Sequence, residues 1–192
     1  MQITDNLKND ISDAPAWFHD AISIKPSEKI LEDIKGNLSY SVWPSPSENR
    51  NLIIFIHGTG AHKKWWYPIA PQFINYSNVI AVDLPGMGDS GFREKYSIKD
   101  FGQCIISIIE KEKSNMNIDS ISIIGHSLGG QVAGYVASEK KDLVSNLIMI
   151  DTFIRPPDWD PSQNEGGPLR MIKYYPDKTT ILKRFRLLPQ QE

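Results

Sequence analysis

The chain has 192 residues, long enough for one domain with a sizeable core. Hydrophobic residues at 40% and charged residues at 23% describe an ordinary globular protein rather than a disordered or fibrous one. Lys and Arg number 21 against 23 Asp and Glu, so a net charge of -2 leaves no basic footprint for nucleic acid.

The opening residues, MQITDNLKND, have neither a basic start nor an apolar run, which argues against a secretory signal and for a cytoplasmic protein. Residues 29–43, KILEDIKGNLSYSVW, read as two strands about a tight Gly36-Asn37 turn. NLIIFIH (51–57), NVIAVD (78–83), SISIIG (120–125) and NLIMID (146–151) are short β-branched runs, suited to parallel strands buried on both faces and too short to span a bilayer. In SIKDFGQCIISIIEKEK, Ser97 and Asp100 are spaced as a capping box, and Ile98, Phe101, Ile105 and Ile108 follow at helical spacing. Cys104 is the one cysteine, so no intrachain disulfide forms and a reducing compartment is compatible.

Residues 127–139 are rich in small side chains (Gly129, Gly130, Ala133, Gly134, Ala137), which predicts a helix packed close to the sheet. Alternation of strand and helix over residues 1–152 predicts an α/β core: a doubly wound, mostly parallel sheet. At 153–192 the texture changes to frequent Pro and Gly without a strand. Ile181, Leu182, Phe185 and Leu188 form one apolar helical stripe there, with KRFR (183–186) on its solvated face. This segment reads as the beginning of a lid or cap insertion.

Gly125-His126-Ser127-Leu128-Gly129 fits the G-x-S-x-G pattern, between a predicted strand and a predicted helix. A serine on such a turn holds its hydroxyl clear of the strand, and glycines on either side remove side chains that would clash. Ser127 is therefore the candidate nucleophile.

IFIHGTG, AVDLPGMGDSG, IGHSLGG and LIMID, in that order, resemble the landmarks of the alpha/beta-hydrolase superfamily, and the likeness runs over roughly residues 17–192. HGTGAHKKWWYPIAP and RFRLLPQ resemble its lid-bearing serine hydrolases. The resemblance implies that Ser127 attacks the carbonyl carbon of a small-molecule ester or related acyl substrate. It implies an oxyanion hole from the backbone N–H groups of Leu128 and Thr59. His57, Gly58 and Gly60 shape that turn, Gly125, His126 and Gly129 shape the elbow, and Asp89 and Ser90 shape the neighbouring loop. Trp65, Trp66, Phe153 and Trp159 are candidate pocket residues, while Arg93 and Arg155 read as surface charges. No metal or other cofactor is implied.

The family order places an acid and then a histidine after the nucleophile. The four histidines here are His19, His57, His62 and His126, and none follows Ser127. His62, in a loop on the same rim, is the one substitute base that the sequence offers. Asp151 can serve as the acid from the end of the sixth strand, or can simply tie that strand to the lid. The simplest expectation is that the core is truncated before its base, which predicts a nearly inactive chain with NLIMID as an exposed edge strand. Two other classes stay open. One is a binding module or pseudoenzyme with the same fold. The other is a dinucleotide-binding protein, with Gly58-x-Gly60 after a strand and Asp83 placed for a ribose. Within the superfamily, another reaction such as C–C bond cleavage also stays open, whereas epoxide opening and dehalogenation are disfavoured because those relatives carry an aspartate where Ser127 stands.

Overall fold

The computed structural model describes residues 13–47 and 49–154, together with residues 177 and 180. Residues 15–154 form one compact unit. Its elements run α1 (Ala16–Ser23), β1 (Ser27–Leu31), β2 (Leu38–Trp43), β3 (Asn51–Ile56), β4 (Asn78–Val82), α2 (Ile98–Met116), β5 (Ser120–His126), α3 (Leu128–Glu139) and β6 (Val144–Ile150). Two short 3₁₀ turns, Lys63–Trp66 and Ala70–Phe73, lie between β3 and β4.

The six strands make one sheet in the order β1-β2-β4-β3-β5-β6. β1 and β2 run antiparallel to their neighbours, and the rest of the sheet is parallel. Alternation along the central strands sorts side chains onto two faces, each of which is covered. Leu52, Ile54 and Ile56 of β3 and Ile80 and Val82 of β4 pack with Ile105, Ile108 and Ile109 of α2 and Val132 and Val136 of α3. Phe55, Val79, Ala81 and Ile124 face the other way, against Trp43, Trp66 and Ala70.

Helix α2 begins as its sequence predicts. Ser97 Oγ accepts from Asp100 N at 3.0 Å and donates to Asp100 Oδ2 at 2.5 Å. It ends at Asn117, which takes the left-handed conformation (φ 52°) that closes a helix.

The tight Gly36-Asn37 hairpin is corrected by the structure. Pairing stops at Leu31 opposite Leu38, and residues 32–37 make a longer connection. A turn closes early, with Gly36 N donating to Asp33 O at 2.9 Å, and Asn37 O is taken by Gly91 N at 2.8 Å. Arg93 is also corrected: its side chain is only 7% exposed and pairs with Asp33 Oδ2 at 3.1 Å, pinning this connection to the loop after β4. Among the described residues, no helix is long and apolar enough to cross a membrane.

Glu112 of α2 is fully buried, where it accepts from Tyr40 Oη at 2.7 Å and from Lys29 Nζ at 2.9 Å. Burial alone would lift its carboxyl, but Lys29 and Tyr40 outweigh that and hold it below the usual carboxylate range. A depressed folded-state pKa gives stability that is present above the unfolded value near 4.3 and lost as pH falls through the folded one. Thermal melts of wild type should therefore fall steeply below about pH 4. Glu112→Gln should melt lower at neutral pH and show a flatter acid limb. Equal acid slopes for the two proteins would refute this assignment.

Candidate active site

Ser127 stands where β5 meets α3, with φ 51° and ψ -116°. That is a costly conformation for a residue with a Cβ, on the order of 1–3 kcal/mol, and it persists only where the surroundings over-determine it. Here they do. Ser127 N donates to Ile150 O of β6 at 2.9 Å, and Ser127 O accepts from Gly130 N at 3.0 Å. A Cβ added to Gly125 would stand 2.2 Å from Gly129 O, and one added to Gly129 would stand 2.3 Å from Ile56 O. Strand, turn and helix meet backbone to backbone, which only glycine permits.

The turn after β3 presses against this elbow. A Cβ on Gly58 would lie 3.2 Å from Ser127 Cβ and 2.8 Å from His126 Nδ1. His57 is fully buried. Its Nε2 accepts from Leu84 N at 3.1 Å, which leaves the proton on Nδ1 to be donated to Gly58 O at 2.8 Å. Burial holds the imidazole below its ordinary pKa. His57 thus has both ring nitrogens engaged and is part of the scaffold. Gly58 O also accepts from Ala61 N at 3.2 Å. Among the described residues, the backbone N–H groups of Thr59 and Leu128 have no acceptor. Gly60 takes φ 72°, and a Cβ there would meet nothing within 4 Å, so backbone conformation rather than space calls for glycine.

Behind the turn lies a group that the sequence reading missed. Lys63 is 1% exposed, and its Nζ donates to Asp83 Oδ2 at 2.8 Å, Asp89 Oδ2 at 2.7 Å and Ser39 Oγ at 2.9 Å. Its backbone N donates to Asp83 Oδ1 at 2.6 Å, and Asp89 N donates to Asp83 Oδ2 at 2.9 Å. Ser90 Oγ donates to Asp83 O at 2.8 Å and accepts from Ser39 N at 2.8 Å. Burial pushes the Lys63 ammonium pKa down, but the two carboxylates more than reverse this, so it is raised. The Lys63 ammonium holds the Asp89 carboxyl below the usual range. Asp89 and Ser90 thus shape their loop, as the sequence suggests. Asp83 is fully committed and buried, so it cannot grip a ribose, and the dinucleotide reading loses its acidic residue.

The remaining predicted residues separate. His126 carries its ring beside Trp65, with centroids 5.6 Å apart, and its Nε2 lies 4.0 Å from Asp151 Oδ2. Asp151 follows β6 at φ 46°, with its side chain 90% exposed. Trp65 keeps an exposed face, whereas Trp66 packs inward on Phe55 with ring centroids 4.8 Å apart. Phe153 is exposed, and its carbonyl accepts from Gln131 Nε2 at 3.0 Å. His62 is exposed at the start of the Lys63–Trp66 turn, and His19 sits edge-on to Phe18 in α1. Trp159, Arg155 and the apolar stripe from Ile181 to Leu188 lie outside the described residues.

The model of the alpha/beta hydrolase fold family matches residues 51–184. A pimeloyl-[acyl-carrier protein] methyl ester esterase from Pseudoalteromonas atlantica is 30% identical over 128 residues, covering 62% of this chain and 46% of that protein. A soluble epoxide hydrolase from Corynebacterium sp. (strain C12) is 31% identical over 104 residues, covering 52% of this chain and 34% of its own length. Among solved structures, a thioesterase domain from the curacin biosynthetic pathway superposes with a TM-score of 0.60 at 24% identity, covering 72% of this chain and 50% of that one. The chain spans less than half the length of these two curated relatives. The strand order, the serine at a strained strand-to-helix turn and these matches converge: the chain belongs to the alpha/beta hydrolase fold family.

Proposed function

We infer that this chain carries the nucleophile and the oxyanion turn of a serine hydrolase acting on a carboxylic ester or related acyl substrate. The observation that carries this reading is the backbone of Ser127, held at φ 51° where β5 meets α3. Strain at one over-determined serine is the signature of a side chain placed for chemistry rather than packing.

In the reaction, Ser127 Oγ attacks the acyl carbon and the carbonyl oxygen becomes an oxyanion. The free N–H groups of Thr59 and Leu128 receive that charge, aided by the N-terminus of α3. The alcohol leaves with a proton, and water then releases the acid from the acyl-serine. Trp65 and Phe153, exposed at the same end of the sheet, supply apolar wall to the substrate site. Asp151, exposed beyond β6, is available as the acid of a triad. Both ring nitrogens of His57 are engaged, so that imidazole is not available as the base. The esterase relative favours ester chemistry.

The test is covalent labelling with a fluorophosphonate probe, read by intact mass and peptide mapping. The expected result is one adduct, on Ser127, formed slowly in the absence of a base and abolished in Ser127→Ala. Adducts spread over surface residues, or none at any exposure, would sink the hydrolase reading and favour a binding module that keeps the fold without the chemistry.

A further inference from the structure

Lys63 follows the HGTG turn by three residues, yet its ammonium is buried among groups from two other segments of chain. We propose that Lys63 is a positioning residue: its buried ammonium clamps residues 57–63 onto the loop 83–90 and so fixes where the Thr59 N–H meets the substrate's carbonyl oxygen. This rests on the serine-hydrolase reading above.

Lys63 contacts Asp83 twice, once through its backbone N and once through Nζ, so the backbone of the 3₁₀ turn as well as the side chain is tied to the end of β4. Its bond to Asp89 reaches the far side of the PGMGDS loop, and its bond to Ser39 reaches β2. Leu84, next after Asp83, donates to His57 at the other end of the same turn. The HGTG turn is therefore held at both ends by one short stretch, Asp83-Leu84. Moving either anchor moves Gly58 and Thr59 with it.

Burying the Lys63–Asp83 pair costs more in desolvation than a well-packed apolar side chain would, so stability alone gives weak reason for a lysine here. Directional ties do give one. An ammonium has three donors, and here each finds an oxygen. A methionine of similar length fills the space and holds nothing. The Gly58 carbonyl, taken by His57 and Ala61, fixes the orientation of the next peptide N–H, because the two groups of a trans peptide point in opposite directions. Lys63 fixes its location.

The experiment compares fluorophosphonate labelling rates of Ser127 in purified wild type, Lys63→Met, Asp89→Asn and Glu112→Gln, well below every melting temperature. Glu112 lies in the other buried charge cluster, with Lys29 and Tyr40, and its substitution reports the effect of lost stability alone. Lys63→Met should slow labelling by about tenfold, short of the 10²–10³ for a deleted donor, because the N–H is displaced and not removed. Asp89→Asn, which keeps the buried pair and loosens one tie, should slow labelling by a smaller factor. Glu112→Gln should label at the wild-type rate despite melting lower. Wild-type labelling rates in a folded Lys63→Met, or equal slowing in Glu112→Gln, would overturn the proposal alone. If Lys63→Met does not fold, unchanged labelling of Asp89→Asn overturns it. Failure of wild type to label at Ser127 would instead bring down the hydrolase reading and this inference with it.

Discussion

Assayed with an activated ester such as p-nitrophenyl acetate, the 192-residue chain should turn over slowly, about 10⁶-fold below an enzyme with its histidine in place. What remains should be on the order of 10³–10⁴ over water, contributed by binding and by the oxyanion donors. The histidines account for the deficit. His57 accepts from Leu84 N and donates to Gly58 O, so it has no nitrogen left to take a proton from Ser127. His62 is exposed, His19 lies within α1 against Phe18, and the ring of His126 faces Trp65 and Asp151. The rate should show no inflection near the imidazole range, and His62→Ala should leave it unchanged. Turnover at rates ordinary for an esterase, lost in Ser127→Ala, would falsify the absence of a base.

The second large effect is structural. Gly129→Ala should cost about 3 kcal/mol or more, a large share of the stability of a domain this size. The added methyl carbon would stand 2.3 Å from Ile56 O and 2.6 Å from His57 O, both backbone atoms of a central strand and its turn. No flexible side chain is there to yield. Gly134, on the same helix, makes the contrast: a Cβ there meets only Met149 Cε, at 3.8 Å. Gly134→Ala should stabilise by roughly 0.5–1 kcal/mol, since alanine holds a helix better than glycine. Urea denaturation of the two variants checks both signs. Midpoints shifted the same way would mean that helix propensity, and not close approach, governs both positions.

Features encoded locally were legible in the sequence. The strands β3 to β6 are continuous apolar runs, Ser97 and Asp100 cap α2 as their spacing suggests, and the glycines around Ser127 mark a backbone contact that no other residue allows. What escaped the sequence depends on partners far along the chain. Lys63 sits in HKKWW, where a lysine reads as solvated; only folding brings Asp83, Asp89 and Ser39 around it. The sole hint was an aspartate at each end of DLPGMGD. Arg93 read as a surface charge for the same reason, because its partner Asp33 lies on the β1–β2 connection. That connection read as tight because Gly36-Asn37 is good turn chemistry, while the turn that forms is centred earlier and is held by Gly91. The predicted exposure of the NLIMID strand holds: Leu147, Ile148 and Ile150 of β6 are each at least 40% exposed.

The strand order also sets a timetable. β3 lies at the centre of the sheet, but one of its two neighbours, β5, begins at Ser120, after β4 and the whole of α2 have been made. As the chain leaves the ribosome, β3 can pair with β4 early and must then wait with its other edge bare. Closing that gap is a long-range event, with a loop-closure cost met before any contact repays it, so docking of β5 should govern the folding rate. Ser127 and α3 follow β5 directly, so the turn that carries Ser127 takes shape only after the slowest step. Until then the chain shows the bare edge of β3, the kind of surface that holdase chaperones bind and that drives aggregation when they are absent.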